Sequence, residues 1–378
     1  MHKNILINAI GIQDSGGITV IEKLFDELRR SQFKFLIICS NNKNINDLVD
    51  KYSNVENFEF ILTETKSFLY RLYYENIVFR KIIKESRISF VYNFSGSAQF
   101  FLPVPQITKV QNLLFYSRRI DKVYFQSKQY SKWIKQVLLK RIVFHSMVKQ
   151  APYIEVQSSH MKEYISDFID VSKKKFFVKS DIELQQSLFI EPRHYDFSRK
   201  VRFLYIVGPH FEYQHKNFSD FVNAMLLLKR EHINFEIIVT LTKDQLDASS
   251  LWDEALNSHT TFLGYVQKDV LKKQFCDNTI LLSTSVIESL GLHVIEAVQN
   301  GILAVVPNEK YSLDVYGNDI LTYNIFNENS LLKTVENIYS QEYSQISDRI
   351  KQNQQYLIKN ETSKYKNIVT VFDQIMRG

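Results

Sequence analysis

Glu288 and Glu296 stand eight positions apart in SVIESLGLHVIEAVQNG, residues Ser285 to Gly301. Ionised carboxylates accept hydrogen bonds and so can hold hydroxyl groups. Between the two acids lies Ser289-Leu290-Gly291, and Gly301 precedes an apolar run, Ile302 to Val306. The stretch reads as strand, loop, helix, turn and strand. Gly291 would let the backbone N–H groups around Ser289 to Leu292 approach a ligand at a helix start, where anions are favoured. Glu288 is expected in the loop, and Glu296 about a turn and a half into the helix. Both acids could then face one crevice beyond the carboxyl ends of a parallel sheet. A backbone anion site flanked by hydroxyl-binding acids suits a sugar nucleotide.

Other residues carry weaker signals. Gly16-Gly17 falls between the first strand-like run and the first helical pattern. The pair either lets the backbone approach a phosphate or acceptor, or makes a plain tight turn. It is not a GxGxxG fingerprint, which counts against a dinucleotide site. Thr240 ends the run IIVTLT and either lines a nucleotide pocket or faces water. No Asp-x-Asp and no His/Cys cluster appears, so no cofactor and no metal are expected.

These groups need elements to hold them. The 378 residues suffice for two domains with separate cores, and 45% apolar with 23% charged content indicates a globular chain. Strands are predicted at Ile5–Ala9, Phe33–Cys39, Phe58–Leu62, Ile88–Tyr92, Gln106–Val110 and Tyr153–Val156. After a polar linker at Asp181–Lys200 the pattern restarts at Val201–Gly208, Phe235–Thr240, Thr261–Leu263 and Ile280–Ser283. Helices alternate with them, including Ile18–Arg30, one capped by Asn217 with an apolar stripe from Phe218 to Leu228, Lys243–Leu256, and a final one over Thr362–Met376. Alternation of this kind implies doubly wound parallel sheets.

Charge is uneven. Residues 1–195 carry 29 Lys/Arg against 19 Asp/Glu, and ten basic residues with one acid lie between Lys109 and Lys149. This is either a solvated basic surface or a face for an anionic membrane or lipid diphosphate. Trp133, Ile134, Val137, Leu138 and Ile142 recur at helical spacing among the lysines, as both an interfacial and a core-facing helix require. No run of about 18 apolar residues occurs. The opening run ILINAI has no signal-peptide character, and Cys39 and Cys276 read as buried thiols of a reducing compartment, so a cytoplasmic location is expected. No nucleic-acid-binding module is recognisable.

The run ESLGLHVIEAVQNG resembles the nucleotide-sugar motif of family 4 glycosyltransferases, retaining enzymes of GT-B fold. That motif has Glu, seven residues and Glu, with Gly three after the first acid and Ala after the second, here Gly291 and Ala297. The resemblance implies an α/β chain of GT-B type, two Rossmann-like doubly wound domains facing a central cleft. The domains would be 1–185 for the acceptor and 200–358 for the donor, with 359–378 a helix crossing back to the first. It implies that Glu296 holds the ribose hydroxyls, Glu288 the donor-sugar hydroxyls, and Lys216 in GPHFEYQHKN, which opens on Gly208, the diphosphate. Relatives have an Arg soon after that Gly; Pro209-His210 stands there instead, and His210 or His215 would substitute weakly. FLGYVQKDVL resembles the family's turn against the nucleobase, which nominates Gly264, Tyr265 and Val266. Gly16 and Gly17 resemble its first glycine-rich loop. The acceptor-side His of many relatives is missing, with Asn112 as the stand-in.

The resemblance thus implies a retaining hexosyltransferase moving a sugar from a nucleotide-sugar to a glycan or lipid-linked acceptor in surface polysaccharide assembly. It would act in the cytoplasm, peripherally on the inner face of the membrane through residues 109–149. The alternatives are a nucleotide-sugar epimerase of the same fold and a non-catalytic glycosyltransferase-like binding subunit.

Overall fold

Short runs of Ile, Leu, Val and Phe, ended by Asn, Ser or Gly, become the strands of two separate parallel sheets. The computed structural model describes residues 4–12, 15–64, 67–182, 184–327, 329–360, 365 and 367–377. In the first sheet β1 (Asn4–Ala9), β2 (Lys34–Ser40), β3 (Phe58–Thr63), β4 (Ile88–Asn93), β5 (Gln106–Val110), β6 (Tyr153–Val156) and β7 (Lys175–Val178) run in the order 3-2-1-4-5-6-7. Ile5 stands beside Phe35 of β2, and Ile7 beside Tyr92 of β4. In the second sheet β8 (Val201–Tyr205), β9 (Phe235–Val239), β10 (Thr260–Phe262), β11 (Thr279–Leu282), β12 (Leu303–Pro307) and β13 (Leu321–Tyr323) take the order 10-9-8-11-12-13. The central strands are buried on both faces, which is why they read as continuous apolar runs. Edge strands β7 and β13 escaped the sequence reading. β7 is framed by lysines, a common device for protecting an edge, and β13 has three residues.

The helices that matter here are α1 (Ser15–Leu28), α2 (Arg118–Gln126), α3 (Phe218–Arg230), α4 (Lys268–Lys272), α5 (Leu292–Gln299), α6 (Lys310–Tyr316), α7 (Tyr343–Lys359) and α8 (Ile368–Arg377). The predicted helix over Lys243–Leu256 shrinks to Lys243–Asp247, followed by a 3₁₀ stretch at Glu254–His259. Of the predicted final helix, residues 362–364 and 366 lie outside the described residues.

The chain forms two compact units. The first comprises Met1–Tyr116, Ser131–Ile182 and Thr362–Gly378; the second comprises Ser117–Tyr130 and Glu183–Glu361. The segment 117–130, read from sequence as part of the first domain, therefore belongs with the second. Its helix α2 makes an ion pair there, Arg119 Nε to Glu309 Oε2 at 2.9 Å. Helix α8 groups with the first unit, where Phe372 packs against Phe35, Phe90 and Tyr92.

The first unit also buries charge. Lys109 Nζ lies 2.6 Å from Asp181 and 3.3 Å from Glu155, and Tyr92 Oη donates to Glu155 at 2.7 Å. Lys179 pairs with Glu27 at 2.9 Å, and Glu27 accepts the Ile368 amide at 2.8 Å. The cluster thus links β5, β6, the segment after β7, α1 and the start of α8. Burial opposes the charge on Lys109, but Asp181 and Glu155 outweigh it and raise its pKa. Removing Lys109 would leave Glu155 buried without its ion-pair partner and Asp181 with only Lys179, 3.9 Å away. Lys109→Met is expected to lower unfolding stability in urea by about 3–5 kcal/mol. Adding Glu155→Gln and Asp181→Asn should restore much of that loss; a single variant as stable as the parent would contradict this.

Candidate functional site

The order of the second sheet reverses between β8 and β11, and the loops leaving those two strands carry Lys216 and Glu288. Open α/β sheets bind ligands at such a switch point. Lys216 closes a 3₁₀ turn, Gln214–Lys216, ahead of α3. Its carbonyl accepts the Thr284 hydroxyl at 2.7 Å, and Thr284 shares a 2.6 Å hydrogen bond with Tyr205 of β8. The Val286 amide donates to the His215 carbonyl at 2.8 Å. These bonds stitch the two loops together, and Lys216 Nζ then lies 2.7 Å from Glu288 Oε1 and 3.5 Å from Ser285 Oγ. Tyr311 of α6 donates to the Ser285 carbonyl at 2.5 Å, and Tyr316 to the Leu290 carbonyl at 3.0 Å.

Burial alone would raise the Glu288 carboxyl. Lys216, His293 and the Ser285 hydroxyl overcome it and hold the pKa at about 2. Glu288 is therefore a fixed anion, shaped to accept hydroxyl hydrogens. Burial, together with Lys216, lowers both neighbouring imidazoles, His293 and His215, to about 4 against the opposing pull of Glu288. His293 Nε2 meets Ser283 Oγ at 2.9 Å. His210, in the slot where the resemblance implies an Arg, is exposed and stacks on Tyr213 with centroids 5.1 Å apart.

Gly291 precedes α5 with φ of 57°, and a Cβ there would sit 2.0 Å from Tyr316 Oη. Only glycine fits, and the first turn of α5 consequently begins beside Glu288. Amides of a first helical turn have no intrahelical acceptor and favour an anion. Ser289, Leu290 and Leu292 flank this position.

Other predicted residues sit differently. Glu296 is on α5 as expected, but it pairs with Lys268 of α4 at 3.1 Å rather than with Lys216. The Thr240 hydroxyl is engaged, bonding both the amide and the carbonyl of Val207 at 2.8 Å, so it ties β9 to the end of β8. Gly208 is exposed in open space. Gly264 has φ of 65° and donates to the Leu241 carbonyl, leaving Tyr265 80% exposed and Val266 half-buried. Asn217 adopts a left-handed conformation, and its amide bonds Asp220 instead of capping α3. Gly16 and Gly17 are not in a loop; both lie in the first turn of α1. Asn112 is exposed, and its carbonyl oxygen accepts the Leu114 amide at 2.8 Å.

The basic run is also partly spent. Lys109 and Arg141 are buried, Arg141 with its guanidinium 4.9 Å over Phe168, while Lys122 lies 4.2 Å over Phe326 beside the Arg119–Glu309 pair. Helix α2 packs on the turn that carries Lys216. Sequence reasoning missed Tyr311, Tyr316 and Arg119. The tyrosines carried a faint signal, two large polar-tipped residues on a short helix after the motif; Arg119 carried none.

Residues 196–357 match the family model described as "Glycosyl transferases group 1". No curated protein sequence matches the chain. Among solved structures the chain is similar to sucrose-phosphate synthase (tll1590) from Thermosynechococcus elongatus, with a TM-score of 0.65, 13% identity, and 100% of this chain and 98% of the other covered. It is similar to Anabaena Alr3699/HepE in complex with UDP and glucose, with a TM-score of 0.61, 12% identity, and 100% and 99% covered. It is also similar to the lipopolysaccharide outer core galactosyltransferase WaaB, with a TM-score of 0.59, 16% identity, and 95% and 97% covered. The fold is therefore α/β with two Rossmann-like parallel-sheet domains, as in GT-B glycosyltransferases. The family match, which covers the second unit's sheet, supports a glycosyltransferase family.

The imidazoles give a pH test. His215 and His293 titrate near 6.5 when unfolded and near 4 when folded, so the unfolded chain binds more protons between those values. Stability is expected to fall as pH drops from 6.5 to 4, followed by a further loss toward 2 as Glu288 protonates. His293→Asn should flatten the upper part of a denaturation-versus-pH curve; an unchanged slope would contradict the assignment.

Proposed function

We propose that the chain is a retaining glycosyltransferase of the family 4 type, moving a hexosyl group from a nucleoside-diphosphate sugar to a glycan or lipid-linked acceptor in surface polysaccharide assembly. The Lys216–Glu288 pair at the switch point carries this reading. Lys216 Nζ and the N-terminus of α5 offer positive charge to the departing diphosphate, whose negative charge grows as the glycosidic bond breaks. Glu288, ionised at any working pH, accepts hydroxyl hydrogens of the donor sugar beside the anomeric carbon. Glu296 takes the ribose hydroxyls once a ligand draws it from its half-exposed contact with Lys268, an exchange that costs little because exposed ion pairs contribute about 0–1 kcal/mol. Gly264, Tyr265 and Val266 meet the base. The acceptor attacks on the face the diphosphate leaves, and a phosphate oxygen takes its proton, so the anomeric configuration is retained.

The enzyme works on the cytoplasmic face of the membrane without a metal cofactor. Support comes from the family match over the second unit and from the fold shared with glycosyltransferases. Lys216→Ala is expected to weaken UDP or GDP binding in calorimetry and to cut turnover by about 10²–10³-fold, the usual effect of losing one preorganised donor. Activity should persist in EDTA, and NMR of the product should show the donor's anomeric configuration. Incubation with donor alone separates the epimerase alternative: an isomerised sugar nucleotide formed without acceptor would replace this reading. Glu288→Ala tests the non-catalytic alternative, since a glycan phenotype that survives it would favour a binding subunit.

A further inference from the structure

The first unit presents an apolar face that its own core does not use. One long helix runs from Phe68 to Glu85 with a wide π-type turn at Tyr74–Val78. Leu69, Tyr73 and Ile77 recur along it every four residues, so they form one stripe. A second helix has the same interruption at Ile134–Leu138 and continues as Leu139–Gln150. Leu139 and Ile142, just beyond that turn, are exposed. The two helices are neighbours: Leu72 of the first and Val143 of the second pack on Ala98 and Met147.

Between them the loop after β4 is pinned to the first helix, where Asn76 accepts the Phe100 amide at 2.8 Å and Arg80 donates to the Phe100 carbonyl at 3.0 Å. The next residue, Phe101, has φ of 52°. A left-handed conformation is costly for a bulky residue, and here it throws the ring outward. Leu69, Tyr73, Ile77, Phe101, Leu139 and Ile142 are between 53% and 79% exposed. Isolated exposed apolar residues are ordinary, but a stripe, a strained outward phenylalanine and a second helix together mark an interaction surface.

The charges around it choose the partner. Lys132, Lys135, Lys140 and Lys149 on the second helix are exposed, and no acid occurs between Tyr130 and Gln150. Arg80, Lys81 and Lys84 are exposed on the first helix, against Glu85 alone. Exposed apolar residues that share their helices with exposed lysines fit a bilayer with anionic headgroups, into which the side chains insert while the lysines stay at the phosphates. Among the described residues no helix is long and apolar enough to cross a membrane.

We infer that the face built by Leu69, Tyr73, Ile77 and Phe101, together with Leu139 and Ile142, inserts shallowly into an anionic bilayer. The inference deepens the membrane-facing part of the proposed function and rests on it only for where the acceptor resides. It extends the docking surface beyond residues 109–149 to the helix Phe68–Glu85 and to Phe101.

Vesicle sedimentation in the absence of any sugar nucleotide tests it. The protein should bind vesicles of phosphatidylglycerol mixed with phosphatidylcholine and bind pure phosphatidylcholine far less. Leu69→Ser/Tyr73→Ser/Ile77→Ser, and separately Phe101→Ser, should weaken binding about tenfold or more at both low and high salt, the scale set by a few buried methylenes. Lys132→Glu/Lys135→Glu/Lys140→Glu should weaken it at low salt only. The exposed Phe101→Ser variant guards against misfolding, read by an unchanged melting temperature and unchanged nucleoside-diphosphate binding. Parent-like vesicle binding by the apolar variants would overturn the inference. So would a concentration-dependent dimer, in sedimentation velocity, that these variants abolish, because the face would then be covered by a second copy. Loss of nucleotide binding in the parent would instead defeat the glycosyltransferase reading and leave the vesicle result standing.

Discussion

The 2.7 Å contact between Lys216 and Glu288 depends on a reversal in strand order. β8 and β11 are neighbours in the sheet although the two strands between them in sequence lie to one side, so their loops diverge and leave room beyond the strand ends. A small set of hydrogen bonds holds those loops together. Tyr205 and Thr284 fix the backbone of Lys216, Val286 bonds across to His215, and Tyr311 and Tyr316 brace the far side. The side chains that meet at the site are thus positioned by groups that never face it.

Electrostatics follows from the same enclosure. Desolvation normally raises a carboxylate's pKa, and that of the half-buried Glu288 falls because a lysine, an imidazole and a hydroxyl converge on it. The imidazoles pay the opposite penalty and stay neutral. The site therefore pairs Lys216 with a carboxylate held low in pKa, beside two imidazoles whose pKa values are also lowered. Glu288 can therefore change hydrogen-bond partners without taking up a proton, as the proposed exchange of its ion pair for sugar hydroxyls would require.

Much of this was legible in the sequence, and unevenly. The motif around Glu288 specified its own geometry, since Gly291 can only be glycine against Tyr316 and α5 must start where it does. Eleven of the strands announced themselves as apolar runs; β7 and β13 did not, being short edges diluted by lysine or by length. Long-range pairing was invisible. Nothing local says that Arg119, in a segment flanked by stretches of the first unit, meets Glu309 within the second, that Lys109 is buried between carboxylates, or that Thr240 spends its hydroxyl on Val207. The glycine pair at 16 and 17 misled for a local reason: glycine suggests a turn, but the helical pattern from Ile18 extends back through it.

The account stands on the claim that Lys216 and the start of α5 grip a diphosphate. A crystal structure with a nucleoside diphosphate bound tests this most directly. The account predicts the terminal phosphate within hydrogen-bond distance of Lys216 Nζ and of a backbone amide between Ser289 and His293, with the ribose toward Glu296. A nucleotide bound elsewhere, with Lys216 still closed on Glu288, would contradict it.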